Sequence, residues 1–261
     1  MTNQHPDIVV NKFGAKVLLR NTSSYKVFVE EIASLELMLL FMLFAEHNDK
    51  KKVKTNLVEF YKEEEPNTIS DNLEKFLKSD ASDEIFKVET YELFFGQMAF
   101  CRIIDNALCY FKDILTEVVK KEPRILKSSK EKETHDFILS YESMEELLVA
   151  LSDKKIKELF YGSIEDIKKF FKDRLGIELF ERKEDENDFS LVIKQRNTIV
   201  HNRGRITQEL ADEFPVFREI VGQNLFFKYD RLSIINKLIN NVIIDIDIKL
   251  RAKFGLDTFE A

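Results

Sequence analysis

The sequence predicts an all-α protein. Gly (7) and Pro (4) are scarce in 261 residues, which leaves little material for the tight turns of a sandwich or barrel. Apolar residues recur every three or four positions over long stretches, as in helices that bury one face. Capping signatures precede several of those stretches. An apolar content of 44%, with 23 Phe, is enough for a substantial core.

Residues 1–20 are ambiguous. Ile8-Val9-Val10 and Val17-Leu18-Leu19 read either as short strands or as an unstructured lead. A helix is expected from Thr22 to Glu46, capped by Thr22 or Ser23 and ended by His47-Asn48-Asp49-Lys50. Its intensely apolar part, Leu35 to Ala45, carries Glu36 and falls well short of the ~20 residues that cross a bilayer, so it reads as a core helix. Further helical pieces are expected at Lys52–Glu63 and Ser70–Lys78, with the acidic loop Glu63-Glu64-Glu65-Pro66-Asn67 between them. The longest helix is expected over Glu89–Lys121. Its apolar stripe takes in Phe94, Met98, Cys101, Ile104, Leu108, Phe111, Leu115 and Val118, and Pro123 stops it.

Beyond it, 124–142 is polar. Ser128-x-x-Glu131, Ser143-x-x-Glu146 and Ser163-x-x-Asp166 predict short helices, the last over Ile164–Leu175 and closed by Gly176. Glu181 to Asp188 is almost wholly charged and reads as a loop before a helix over Phe189–His201. The run Asp230–Lys253 has helical period in Ile235, Leu238, Ile239, Val242, Ile243 and Ile246. Ile244 to Leu250 alternates as a strand does, and the length of the whole run favours a helix. The expected division is an N-terminal helical region of residues 1–88, a helical domain of residues 89–254 and a tail of residues 255–261.

A net charge of −7 argues against a broad nucleic-acid-coating surface and leaves room for a small basic pocket. Cys101 and Cys109 read as buried small hydrophobes, with no metal-ligand spacing and no disulfide framework. That cysteine usage makes a reducing cytosol the expected setting; no signal peptide is visible, and no membrane role is expected. No resident metal or cofactor is expected, since neither a Gly-rich phosphate loop nor a ligand cluster appears.

Chemistry concentrates in Arg196-Asn197-Thr198-Ile199-Val200-His201, followed by Asn202-Arg203-Gly204-Arg205-Ile206. Asn197 and His201 are i and i+4, so they share a helix face. Between Ser190 and Thr207 stand Lys194, Arg196, Arg203 and Arg205 and no acidic residue, a local excess of positive charge in an acidic chain. A histidine exchanges protons near neutral pH, and an arginine grips phosphate oxygens with a planar fork. These groups suit work on a phosphodiester. The plain structural alternative is an ion pair for Arg196 and a helix end for His201.

The stretch resembles the Arg-polar-x3-His signature of HEPN domains, with Arg196, Asn197 and His201 at the three positions. Asp105-Asn106-Ala107-Leu108-Cys109-Tyr110-Phe111-Lys112-Asp113-Ile114-Leu115, with Pro123 beyond, looks like the long first helix of such domains. The resemblance covers residues 89–254 and does not extend to the N-terminal third. It implies a HEPN-type helical bundle, here with additional N-terminal helices, that pairs as a homodimer around a shared cleft. It further implies metal-independent RNA cleavage in a phage-defence or toxin setting, with Arg196, Asn197 and His201 catalytic. Lys194, Arg203 and Arg205 are then expected to bind RNA, and an antitoxin or sensor protein is an expected partner. Inactive members of the family use the same surface to bind RNA or a partner protein. One branch of these toxins carries a tyrosine two residues after the histidine as a target for modification. Arg203 stands there in this chain, which argues against that form of control.

Overall fold

The computed structural model describes residues 7–10, 16–46, 88–127, 133–161 and 164–260. The expected helices at 52–63 and 70–78, the acidic loop between them, and the caps at Ser128 and Ser163 lie outside the described residues. The fold is all-α. Helices α1 (Ser23–Glu46), α2 (Val88–Lys121), α3 (His135–Leu139), α4 (Met144–Tyr161), α5 (Ile164–Phe170), α6 (Lys183–Asn202), α7 (Gln208–Glu213) and α8 (Tyr229–Phe254) follow in chain order. The short strands β1 (Ile8–Val10) and β2 (Lys16–Leu18) pair antiparallel, and β3 (Arg20–Asn21) pairs with β4 (Phe259–Glu260). Among the described residues no helix is long and apolar enough to cross a membrane.

Two compact units divide the chain. One takes in the described parts of Met1–Ile32, Ile103–Lys194 and Ile234–Ala261; the other those of Ala33–Arg102 and Gln195–Ser233. The first is built on aromatic rings. Phe111 on α2 meets Phe171 at 5.8 Å and Phe189 of α6 at 6.1 Å, both edge to face. Tyr110 next to it meets Phe28 of α1 at 6.0 Å. Such pairs contribute about 0.5–1.5 kcal/mol beyond their buried area.

A buried polar knot fastens the start of α1 in this unit. Thr22 caps the helix by accepting from the Tyr25 N–H at 3.1 Å, and its own hydroxyl donates to Asp247 of α8. Tyr110 donates to the same carboxylate oxygen at 3.2 Å. Asp247 is fully buried, and its second oxygen has no hydrogen-bond partner.

The helix boundaries depart from the sequence expectation in informative places. The charged run is no loop: α6 begins at Lys183, with Glu184, Asp185 and Glu186 in its first turn. Carboxylates there complement the positive end of the helix dipole. Arg182 pairs with Asp185, and Glu186 receives both Lys168 and Lys183. The Ser143 cap holds, donated to by Glu146 N–H at 3.2 Å, but the helix it opens runs 18 residues and is not short. The predicted helix over 164–175 ends in a π-helical turn, Phe171–Leu175, closed by left-handed Gly176. The alternating stretch 244–250 is helical. Ile235, Ile239, Val242, Ile243, Ile246 and Leu250 bury one stripe of α8, and the alternation is incidental to it.

Phe94 and Met98, expected in the core stripe, are 60% and 61% exposed. The inward positions of that part of α2 are Gly96, Gln97, Ala99 and Phe100, because another chain segment approaches the helix there and only small or flat groups fit. Cys109 is exposed and Cys101 half-buried, so neither is the buried small hydrophobe expected. In α1, Leu35 is buried but Leu37 and Met38 are exposed.

Burial pushes the Asp247 carboxyl up to about 6 from an ordinary 3.8, against the opposing hydrogen bonds of Thr22 and Tyr110 and the Arg251 charge. The folded state then holds its proton more tightly than the unfolded chain. The stabilisation from this group is complete below pH 3.8, declines as pH rises towards 6 and is gone above it. A shift of this size corresponds to about 3 kcal/mol. In Asp247→Asn the neutral amide keeps an acceptor for both hydroxyls and does not titrate. Urea denaturation across this range should show stability falling with pH in the natural chain relative to Asp247→Asn, and parallel curves would refute the assignment.

Candidate functional site

The last turns of α6 carry the predicted chemistry. Towards the end of the helix Gln195 and Thr198 are buried and define its inward side, while Phe189 and Val192 are buried further back. Successive residues of a helix are set about 100° apart, which places Arg196, Val200, Asn197 and His201 in that order around the opposite arc. Arg196 and Asn197 are half-buried; His201 and Val200 are exposed. Arg196 and His201 therefore flank Asn197. The Arg196 guanidinium donates to Asn197 Oδ1 at 3.3 Å. That bond fixes the amide so that its N–H groups point away from the arginine. Lys194 lies half-buried two residues earlier on the same helix.

Helix α6 ends in a left-handed turn. Arg203 (φ 54°) and Gly204 (φ 74°) both have positive φ, and Arg203 is the one non-glycine residue among those described that does. Gly204 N–H reaches back to the Thr198 carbonyl at 3.2 Å, and Arg205 N–H reaches the Asn202 carbonyl at 3.0 Å. Gly204 is buried against the Gln97 side-chain amide so closely that a Cβ has no room. Gln97 in turn donates to the Leu225 carbonyl at 2.9 Å. One turn earlier, Gly96 lets the Phe227 carbonyl approach the helix, and Phe100 stacks on the Phe227 ring at 4.1 Å.

The chain leaving the turn pairs with the segment that follows α7. Leu225 N–H donates to the Gly204 carbonyl at 2.8 Å and Ile206 N–H to the Gln223 carbonyl at 2.9 Å. Arg205 and Asn224 stand opposite each other in this short antiparallel bridge. The side chains of Arg203 and Arg205 are exposed. All six expected site residues thus lie on α6 or the turn behind it, which delivers cations just past the histidine.

Sequence reading missed Gly96 and Gln97, which shape the turn. A glycine inside a long helix was the available signal. His135, in the polar stretch 124–142, is the exposed first residue of α3. Among the described residues no group of three or more His, Cys, Asp or Glu side chains is arranged to hold a metal ion. Comparison with protein-family models, with characterised proteins and with solved structures found no match to this chain.

A non-glycine residue held left-handed is strained by about 1–2 kcal/mol. Arg203→Gly should therefore leave the melting temperature equal or higher. Asn202→Gly, one residue earlier in helical conformation, should lower stability by about 0.3 kcal/mol. Equal losses in the two variants, measured by thermal denaturation, would contradict a left-handed Arg203.

Proposed function

We propose that this chain is a HEPN-type, metal-independent endoribonuclease acting as a homodimer. The observation that carries the reading is the arc Arg196–Asn197–His201, backed by the left-handed turn that presents Arg203 and Arg205. The Arg196 guanidinium occupies Asn197 Oδ1. This leaves the Asn197 amide hydrogens as donors for a phosphate oxygen. Arg196 adds positive charge where the attacked phosphate gains negative charge, which is the strongest general form of transition-state stabilisation. His201 takes the proton of a ribose 2′-hydroxyl as that oxygen attacks the adjacent phosphorus. The P–O5′ bond breaks, and the leaving oxygen takes a proton from a second imidazole. The products are a 2′,3′-cyclic phosphate and a 5′-hydroxyl, and the requirement for the 2′-hydroxyl selects RNA over DNA.

One Arg-Asn-His set supplies a single proton-transfer group, and the reaction uses two. A second copy of the chain, related by a two-fold axis, supplies the other, and two-fold pairing is the commonest closed assembly. Lys194, Arg203 and Arg205 contact flanking phosphates. The family resemblance adds the physiological class, a defence or toxin effector held in check by a partner protein.

Purified protein incubated with mixed RNA in EDTA should cleave it and leave cyclic phosphate ends. His201→Ala should reduce the rate by about 10²–10⁴. Full activity in the alanine variant, or activity lost in EDTA and restored by Mg²⁺, would reject this mechanism. RNA binding without turnover would support the binding module instead.

A further inference from the structure

Behind the proposed catalytic arc lies a strip whose composition the ribonuclease reading does not use. Burial alternates along residues 224–228: Asn224 exposed, Leu225 buried, Phe226 exposed, Phe227 buried, Lys228 exposed. This is the period of an extended chain with one face inward. Phe227 takes the inward place against Phe100, so Phe226 points the other way, 42% exposed. The hydrogen bonds on either side of Arg205 and Asn224 make these two a non-hydrogen-bonded antiparallel pair, so their side chains rise from the same face. Alternation along 224–228 puts Phe226 and Lys228 on the same side as Asn224, and Arg203 precedes Arg205 in the left-handed turn. Arg203, Arg205 and Lys228 make no ion pair with any described residue, and all three are exposed.

An aromatic ring, an amide and two cations, Arg205 and Lys228, therefore share one outward face, with Arg203 on the turn that leads into it from His201. An exposed Phe alone is ordinary. A Phe on one face with unpaired cations has the makeup of a single-strand platform, with a flat ring for a base and cations for the phosphates on either side.

We propose that Phe226 is the stacking platform of a nucleotide subsite in which one unpaired RNA base lies on the ring. Asn224 offers its amide to the base edge, and Arg203, Arg205 and Lys228 hold the flanking phosphates. This rests on the RNA reading above and adds to it a preference for single-stranded RNA with an unstacked base near the cleavage point. Duplex RNA keeps its bases stacked and cannot offer one to the ring.

The test uses the full chain carrying His201→Ala, so that RNA stays intact. It is titrated with a fluorescein-labelled single strand of about ten nucleotides, within the usual site size. A second strand of the same length has abasic ribose throughout. Loss of one base stack corresponds to about a 5- to 150-fold weaker Kd. Phe226→Ala should weaken binding to that extent on the normal strand and leave the abasic strand unaffected. Phe226→Tyr should bind as the parent does. The salt dependence should survive Phe226→Ala, whereas Arg203→Gln with Arg205→Gln should reduce the log–log slope by about 0.7 per lost phosphate contact.

If Phe226→Ala binds the normal strand as well as the parent while the arginine variant binds weakly, the subsite is wrong and the RNA reading stands. If the parent binds neither strand, both are wrong. If Phe226→Ala leaves RNA binding intact but changes sedimentation of the chain, the strip is a protein contact, and the subsite is overturned.

Discussion

Everything proposed for the α6 terminus depends on one close approach, that of Gly204 to the Gln97 amide. A side chain at Gly204 would have to displace the Gln97 amide, so with glycine the backbone lies directly against it. The amide then donates to the Leu225 carbonyl and draws the second segment alongside the turn. A helix that ended more loosely would leave Arg203 and Arg205 on a wandering loop. Here they are fixed relative to His201 by backbone hydrogen bonds and by a glycine whose positive φ other residues rarely adopt. The cost is a strained Arg203. An asparagine or glycine would adopt that backbone more readily.

The other unit is held by different means. Thr22 is at once the cap of α1 and a donor to Asp247, and Tyr110 supplies a second hydroxyl to the same oxygen. Nearby, the Ser24 N–H and hydroxyl both donate to Glu117, and the Asn106 amide donates to the Phe28 carbonyl at 2.9 Å. These are polar contacts inside an otherwise aromatic core. Each is satisfied in only one arrangement of the helices, whereas apolar contacts tolerate sliding. Such groups select one packing among the many that hydrophobicity alone allows.

Much of this was legible in the sequence. The all-α class followed from the scarcity of turn residues and from the period of the apolar positions. The Arg196–Arg205 string announced a helix end with cations beyond it. What could not be read arose where tertiary contacts overrode local pattern. Glu181 to Asp188 looked like a solvated loop because its charges seemed to lack partners; Lys168, distant in sequence, is one. Phe94 and Met98 looked like core because the period was right, but Gly96 and Gln97 turn that part of α2 inward on another side. Phe226 was invisible because Leu225-Phe226-Phe227 reads as an unbroken apolar run. Only the stacking of Phe227 on Phe100 shows which ring is buried.

The contacts that close the first unit have a consequence for how the protein is made. Asp7 meets Arg251, Thr22 meets Asp247, and β3 pairs with β4, so its parts are joined across sequence separations of 225 and 244 residues. Closing loops of that size costs conformational entropy before any contact repays it, and folds dominated by distant pairings assemble slowly. During synthesis the first helix emerges long before α8 exists to receive it. Phe28 meets Tyr110 once α2 has emerged, but Thr22 must wait without its partner while the 225 residues up to Asp247 are added. The nascent protein therefore presents an unfinished start of α1 until α8 appears, an obvious substrate for chaperones that hold unfinished chains.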